Sequence, residues 1–322
     1  MAEWLVERGV GETRAALLAD GEIIEARIEL EGVMPAGSVI AARLTSIGSN
    51  DRNAVAVAEG GDEYLLPKGA SGITEGAVTT LEVTREAIPG AEPWKRPLAR
   101  ITDEPPRAAP GLGERLGARA LSFPAPADEL GQAGWNDLLD EARSGTVAFA
   151  GGELRISPTP AMTLIDVDGY LPPDELAVIG AAAAAKAIRR LDIGGSIGID
   201  LPTAGSKAAR QAAAAAIDAH LPQPFERTAI NGFGFVQIVR PWSRASLIQL
   251  AHDRTGFETR ALLRRAAFER AGGKRIVAQP AIIALLELRR EWIDTLSRQV
   301  GGTVELRADA TLPMSDGYAE NL

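Results

Sequence analysis

The order of apolar and polar positions divides the chain into stretches of different period. Near the start, ETRAALLADGEIIEARIE sets two apolar runs on either side of Asp20-Gly21, which predicts a hairpin with a tight turn within residues 1–29. From Pro35 to about Arg100, SVIAARLTSIG, NAVAVAEGG, EYLLPKG, AVTTLEVTREAI and PLARIT alternate and are separated by glycine-rich turns. Five short strands in that span predict a small closed barrel. DEPPRAAPGLG, residues 103–113, is proline-rich and reads as a linker. Over 125–144 the period becomes that of one helix, with Trp135, Leu138 and Leu139 on a common face.

Residues 151–240 carry the most regular pattern. GGELRISP and AMTLIDVDG predict strands, the second ending in acids. DELAVIGAAAAAKAIRRLDIGG predicts a helix capped by Asp174 and stopped by Gly194-Gly195. GSIGIDLP is a further strand ending in an acid, and SKAARQAAAAAIDAHLP a second helix. FERTAI and FGFVQIVR flank Asn231-Gly232, another hairpin signal. Strand and helix alternate and then give way to antiparallel strands, so this part is expected to form an α/β domain with a mixed sheet. After Ser246 the pattern is mostly helical. PAIIALLELRREWIDTLSRQVGG reads as one long amphipathic helix and TVELRADATLP as a final strand.

Composition narrows the chemistry. The 322 residues are 46% hydrophobic, enough for two or three cores. The most apolar stretch, 177–187, is mostly alanine and too short to span a bilayer. MAEWLVERG has acids where a signal peptide has an apolar segment, so a cytoplasmic location is expected. Cysteine is absent, which excludes disulfides, thiolate zinc sites and cysteine nucleophiles. His220 and His252 are too few for a histidine-rich metal site. Net charge is −9, from 34 basic and 43 acidic residues, so a polyanion would need local basic patches or a metal ion.

Carboxylates are the strongest candidates. Asp166 and Asp168 lie at the end of one predicted strand and Asp200 at the end of the next. If those strands are neighbours, all three meet at the sheet edge where open α/β sheets bind ligands. Carboxylates 4–5 Å apart repel by roughly 3–4 kcal/mol at an effective dielectric near 20. A hard, oxygen-liganded cation, magnesium or manganese, suits such a cluster. The plainer use of an Asp at a strand end is to cap a turn, and Asp168 before Gly169 fits it. Lys207 and Arg210 follow in the first turns of the next helix, a place suited either to phosphate or to a solvated face. Arg85, Lys95, Arg96 and Arg100 form a basic cluster with Trp94, able to track a nucleic-acid backbone or to line a strand rim.

These stretches, in this order, resemble the ribonuclease E/G family. GETRAALLADGEIIEARIE is similar to its opening strand pair, of ribonuclease-H-like type, and VTREAIPGAEPWKRPLARIT to the end of its inserted oligonucleotide-binding (OB-type) barrel. TLIDVDG and DIGGSIGIDLP resemble two strands of its deoxyribonuclease-I-like catalytic part, and NGFGFVQIVR with SRASL the stretch that closes it. QPAIIALLE and QVGGTVELRAD resemble its small terminal domain. The resemblance implies an α+β, multi-domain α/β protein: a strand pair over 1–31, the barrel over 32–104, and a linker with the rest of the first part over 105–150. The mixed catalytic domain would occupy 151–245 and the small helix/strand domain 246–322.

It also implies a magnesium-dependent endoribonuclease that hydrolyses single-stranded RNA to 5′-phosphate and 3′-hydroxyl ends. Asp166 and Asp200 would hold the ion, and Asp168 stands where the family commonly has a supporting asparagine. Lys207, Arg210, Arg85, Trp94, Lys95, Arg96 and Arg100 are the candidate RNA contacts.

Three features depart from the family. AHDRTGFETR occupies the region of its thiolate zinc link, so no zinc and a monomer or homodimer, not a zinc-linked tetramer, are expected. Few residues separate the barrel from the catalytic strands, which leaves no room for a 5′-monophosphate sensor. Val55 and Leu65 stand about where the family offers rings to RNA bases. The alternative is an RNA-binding protein on the same scaffold with little or no cleavage. A dinucleotide-binding enzyme is disfavoured, because no G-x-G-x-x-G follows a strand.

Overall fold

The computed structural model describes residues 2–48, 53–89, 95–124, 127–203 and 205–322. Strands β1 (Glu3–Arg8), β2 (Glu12–Ala19) and β3 (Glu22–Leu30) open the chain. Five more follow: β4 (Val39–Ser46), β5 (Ala54–Ala58), β6 (Glu63–Leu66), β7 (Val78–Arg85) and β8 (Leu98–Ile101). Next come α1 (Leu112–Leu116), β9 (Arg119–Leu121), α2 (Glu129–Gln132) and α3 (Trp135–Ser144). The largest sheet contains β10 (Thr146–Phe149), β11 (Gly152–Pro158), β12 (Thr163–Gly169), β13 (Gly195–Asp200), β14 (Glu226–Arg227) and β15 (Phe235–Arg240). Helix α4 (Pro173–Arg190) joins β12 to β13, and α5 (Lys207–His220) joins β13 to β14. The remainder is α6 (Leu247–His252), α7 (Arg254–Phe268), β16 (Lys274–Ala278), α8 (Pro280–Leu288), α9 (Arg290–Val300), β17 (Val304–Ala308) and β18 (Tyr318–Asn321). The fold is mixed α/β with a closed five-stranded barrel and several sheets. No helix among the described residues is long and apolar enough to cross a membrane.

Two compact units are formed. One takes residues 1–32, 112–137 and 250–322, the other 33–111 and 138–249. In the first, β3-β2-β1-β9 and β17-β16-β18 are separate sheets. The Asp20-Gly21 turn is present, with both residues at positive φ as such a turn requires. The opening segment is nevertheless three strands and not one hairpin, because β1 pairs with β2 along its whole length. The sheet is covered on both faces. Val6 and Ala15 pack with Leu112 and Trp4.

On the other face a charged network is buried beside Leu5, Ala16, Ala26 and Ile28. Arg14, with no exposed surface, reaches Glu7 and Glu12 at 2.6 Å each. Arg260 completes Glu12 at 2.9 Å, and Arg264 bridges Glu7 at 2.9 Å and Asp128 at 3.0 Å. All but Asp128 are buried.

Several other expectations need correction. The helix over 125–144 is two, broken at Gly134, whose φ is +93°. The long terminal helix is α8 and α9, broken at Arg289 (φ −107°, ψ 58°). Strands β16 and β18 add to the single terminal strand expected. Asp174 does not cap α4, whose N-cap is Pro172. Its carboxylate instead accepts from the Gly205 N–H at 2.9 Å and the Ser206 hydroxyl at 3.0 Å.

In the second unit, the five alternating runs of the sequence are the five barrel strands, closed in the order β4-β5-β6-β8-β7 around Leu44, Tyr64, Leu66, Leu81 and Val83. The chain enters and leaves the barrel at one point, where Val39 and Arg107 exchange backbone hydrogen bonds of 2.8 and 2.9 Å. The six-stranded sheet runs β10-β11-β12-β13-β15-β14, parallel only between β12 and β13. Period-two alternation sorts its faces. Ile165 and Val167 of β12, Ile197 and Ile199 of β13, and Val236 and Ile238 of β15 are buried. The buried alanines of α4 and α5 let the two helices lie close together. Every intervening position therefore falls on the opposite, open face, and the acids lie there.

Candidate active site

The register of the parallel pair sets the site. Asp166 on β12 lies opposite Asp200 on β13, one strand spacing of about 4.8 Å away. Asp168 is two residues further along β12 and so on the same face, and all three are exposed. On β11, Arg155 faces Asp166 and Glu153 faces Asp168. The Arg155 guanidinium lies 2.8 Å from Glu153 and 3.7 Å from Asp168. Four carboxylates thus gather around one guanidinium at this end of the face. Asp166 feels the excess: partial burial first, then Asp168 and Asp200, push its carboxyl above the usual range, against Arg155 and the Val167 N–H. The sequence reading had the three aspartates but not Glu153 or Arg155. Their signal was the alternation of GELRISP, a neighbouring strand with its charges on every second position.

Beside the acids the open face carries an apolar strip, with Gln237 and Ser196 hydrogen-bonded to each other further along. Phe235 lies opposite Asp200, and its ring extends over Gly198 towards Leu164. A Cβ on Gly198 would stand 2.6 Å from the end of that ring and 3.0 Å from the Leu164 side chain. The turn before β15 is locked against the end of β13. Gly234 takes φ +94°, its carbonyl accepts from the Leu201 N–H at 3.3 Å, and a side chain there would run into the Leu201 carbonyl. Gly234→Ala is therefore expected to cost at least about 1–3 kcal/mol of stability. Urea unfolding at the parent midpoint would show that the turn is not held in this way.

The basic candidates divide. Lys207 and Arg210 begin α5, capped by Ser206, in the stretch that follows Asp200. They line a groove of about 490 Å³ with Arg227, whose charge is paired to Asp218. The barrel cluster does not form one basic surface. Arg96 pairs with Glu63 at 2.6 Å and Arg100 with Glu82 at 2.5 Å. Arg85 and Lys95 lie 4.7 and 5.3 Å from the ring centre of Trp242, beyond β15, and desolvation pulls the Arg85 guanidinium down. Trp94 lies outside the described residues. The expected patch is thus spent on ion pairs and on a cation–π stack within this unit.

Among the described residues no group of three or more Asp, Glu or His side chains converges on a metal position. The donor set is instead a pair of exposed carboxylates with a third alongside. A hard divalent ion fits such a pair when substrate phosphate completes its shell, as magnesium does with one or two protein carboxylates. Zinc does not fit, lacking thiolates and grouped imidazoles. Comparison with protein-family models and with curated proteins returns no match for this chain.

Proposed function

We propose that this chain is a metal-dependent endoribonuclease of the ribonuclease E/G type, in a shortened form, which hydrolyses single-stranded RNA to 5′-phosphate and 3′-hydroxyl ends. The reading treats β1–β3 with β9 as the ribonuclease-H-like part, the barrel as OB-type, and the six-stranded sheet as deoxyribonuclease-I-like. The observation that carries it is the pairing of Asp166 with Asp200 beside Asp168, a cluster of negative charge with one cation among it. Asp166 and Asp200 would hold Mg²⁺, or Mn²⁺, and Asp168 would support them. A bound ion supplies Lewis acidity at the phosphate and a more acidic water. The chain's own part is to hold two carboxylates at fixed spacing, with Arg155 tying back Glu153 and Asp168. Lys207 and Arg210 would meet phosphates further along the strand.

A second reading is an RNA-binding protein with little cleavage. It is favoured by the lack, among the described residues, of a three-ligand cluster. Magnesium-dependent cleavage of a labelled single-stranded RNA separates the two: cutting supports the first, and binding without cutting the second.

Cleavage is also expected to be indifferent to the RNA 5′ end. The elements between the barrel and the six-stranded sheet are short, α3 being the longest at 10 residues. One RNA carrying either a 5′-monophosphate or a 5′-hydroxyl should be cut at equal rates. A strong preference for the monophosphate would reveal an end-binding site.

A further inference from the structure

Unstructured RNA is gripped by stacking its bases on aromatic side chains, since every base has a π-face. In the described barrel strands the one aromatic residue is Tyr64, which is 1% exposed and part of the core. Rings stand free elsewhere. Tyr170 is 84% and Phe233 82% exposed, in a chain only 5% aromatic. Both lie at the end of the sheet that carries the carboxylates. Tyr170 is two residues beyond Asp168, and Phe233 is two residues before Phe235, the partner of Asp200.

Their backbones are fixed although their rings are not covered. The Tyr170 N–H donates to the Gly151 carbonyl at 3.2 Å. The Phe233 N–H donates to the Asn231 carboxamide oxygen at 2.9 Å, and that oxygen also accepts from the Phe235 N–H at 3.1 Å. The two residues thus follow β12 and precede β15, strands that flank β13 and lie two strand spacings or about 10 Å apart. The Asp166–Asp200 pair, on β12 and β13, stands two to four residues before Tyr170 and Phe233 along the sheet.

We infer that Tyr170 and Phe233 stack bases of the RNA strand whose phosphate meets the carboxylates, so that the grip on RNA comes from the rim of the carboxylate face and not from the barrel. The inference rests on the ribonuclease reading and adds the residues that hold the substrate.

Binding measured in EDTA, where nothing is cut, tests it. A short labelled oligouridine is titrated with the full chain and its variants, and its anisotropy followed. Tyr170→Ala and Phe233→Ala should each weaken binding about five- to a hundredfold, the range for one stacked base. Tryptophan at either position should restore it and leucine should not. The slope of affinity against salt should stay at the parent value, because no charge is removed. An oligomer of abasic sugar-phosphate should bind parent and alanine variants alike, and the parent's loss on this ligand needs no variant to read. Melting temperatures should not move, both rings being in solvent. Alanine variants that bind like the parent, or a parent that binds abasic and base-bearing strands equally, would overturn the stacking assignment. If such variants accompany a parent that cuts RNA, the nuclease reading survives. A parent that neither binds nor cuts RNA overturns both.

Discussion

Asp166→Asn and Asp200→Asn should each slow magnesium-dependent RNA cleavage by about a hundredfold or more, while the variants melt at or above the parent temperature. Asparagine keeps the size and removes one negative charge from a pair that has only two to offer. A group worth about 3 kcal/mol in the transition state accounts for about two orders of magnitude in rate. Metal affinity should fall with the rate.

The stability half of the expectation follows from the direction of the Asp166 shift. Burial, Asp168 and Asp200 raise its carboxyl in the folded chain. Unfolded, it titrates in the ordinary range, so the unfolded state releases its proton first as pH rises. The folded state is then penalised at neutral pH, and the penalty disappears once pH falls below the ordinary carboxylate range. Without metal, Asp166→Asn should gain stability at neutral pH and gain nothing in strong acid. Asp168→Asn should be milder in rate, since asparagine can keep the supporting hydrogen bonds, although the 3.7 Å approach to Arg155 loses its charge. Cleavage at the parent rate by normally melting Asp166→Asn and Asp200→Asn would remove these residues from the reaction.

The largest stability change is expected at Arg14. Arg14→Met removes one of three cations from a buried network that balances Glu7, Glu12 and Asp128 against Arg14, Arg260 and Arg264. An unbalanced negative charge then stays behind in a site where Glu7 is 1% exposed. Breaking one partner of such a buried set costs about 3–5 kcal/mol. Glu12→Gln added to Arg14→Met restores neutrality and should recover much of the loss. Urea unfolding of the parent, single and double variants measures both steps. A single variant within about 1 kcal/mol of the parent would place these charges at the level of surface pairs.

That network also shows where sequence reading stops. Glu7, Glu12 and Arg14 look like the solvent side of strands, because alternation cannot distinguish water from a distant guanidinium. The barrel was legible since its five runs alternate cleanly and its turns carry glycine. The aspartates were legible because each falls late in a run that reads as a strand, although β12 continues to Gly169 and only Asp200 ends its strand. Their pairing followed once β12 and β13 were parallel neighbours. Arg155 was not, for its meaning depends on lying beside β12. The basic cluster near the barrel was visible as charge, but its partners Glu63 on β6, Glu82 on β7 and Trp242 after β15 are brought to it only by the fold. The break at Arg289 was hidden because the apolar pattern holds its phase across it.

The first unit is assembled from segments far apart in the chain, and this has a consequence for its synthesis. Glu7 meets Arg264 and Glu12 meets Arg260 across 257 and 248 residues. At about 5–20 residues per second, a ribosome needs on the order of ten to fifty seconds to produce those partners. Through that interval the opening strands emerge with their acids and Arg14 still hydrated. The charges that later close the core keep the nascent sheet from burying that face prematurely, while the barrel between them has all its strands in hand.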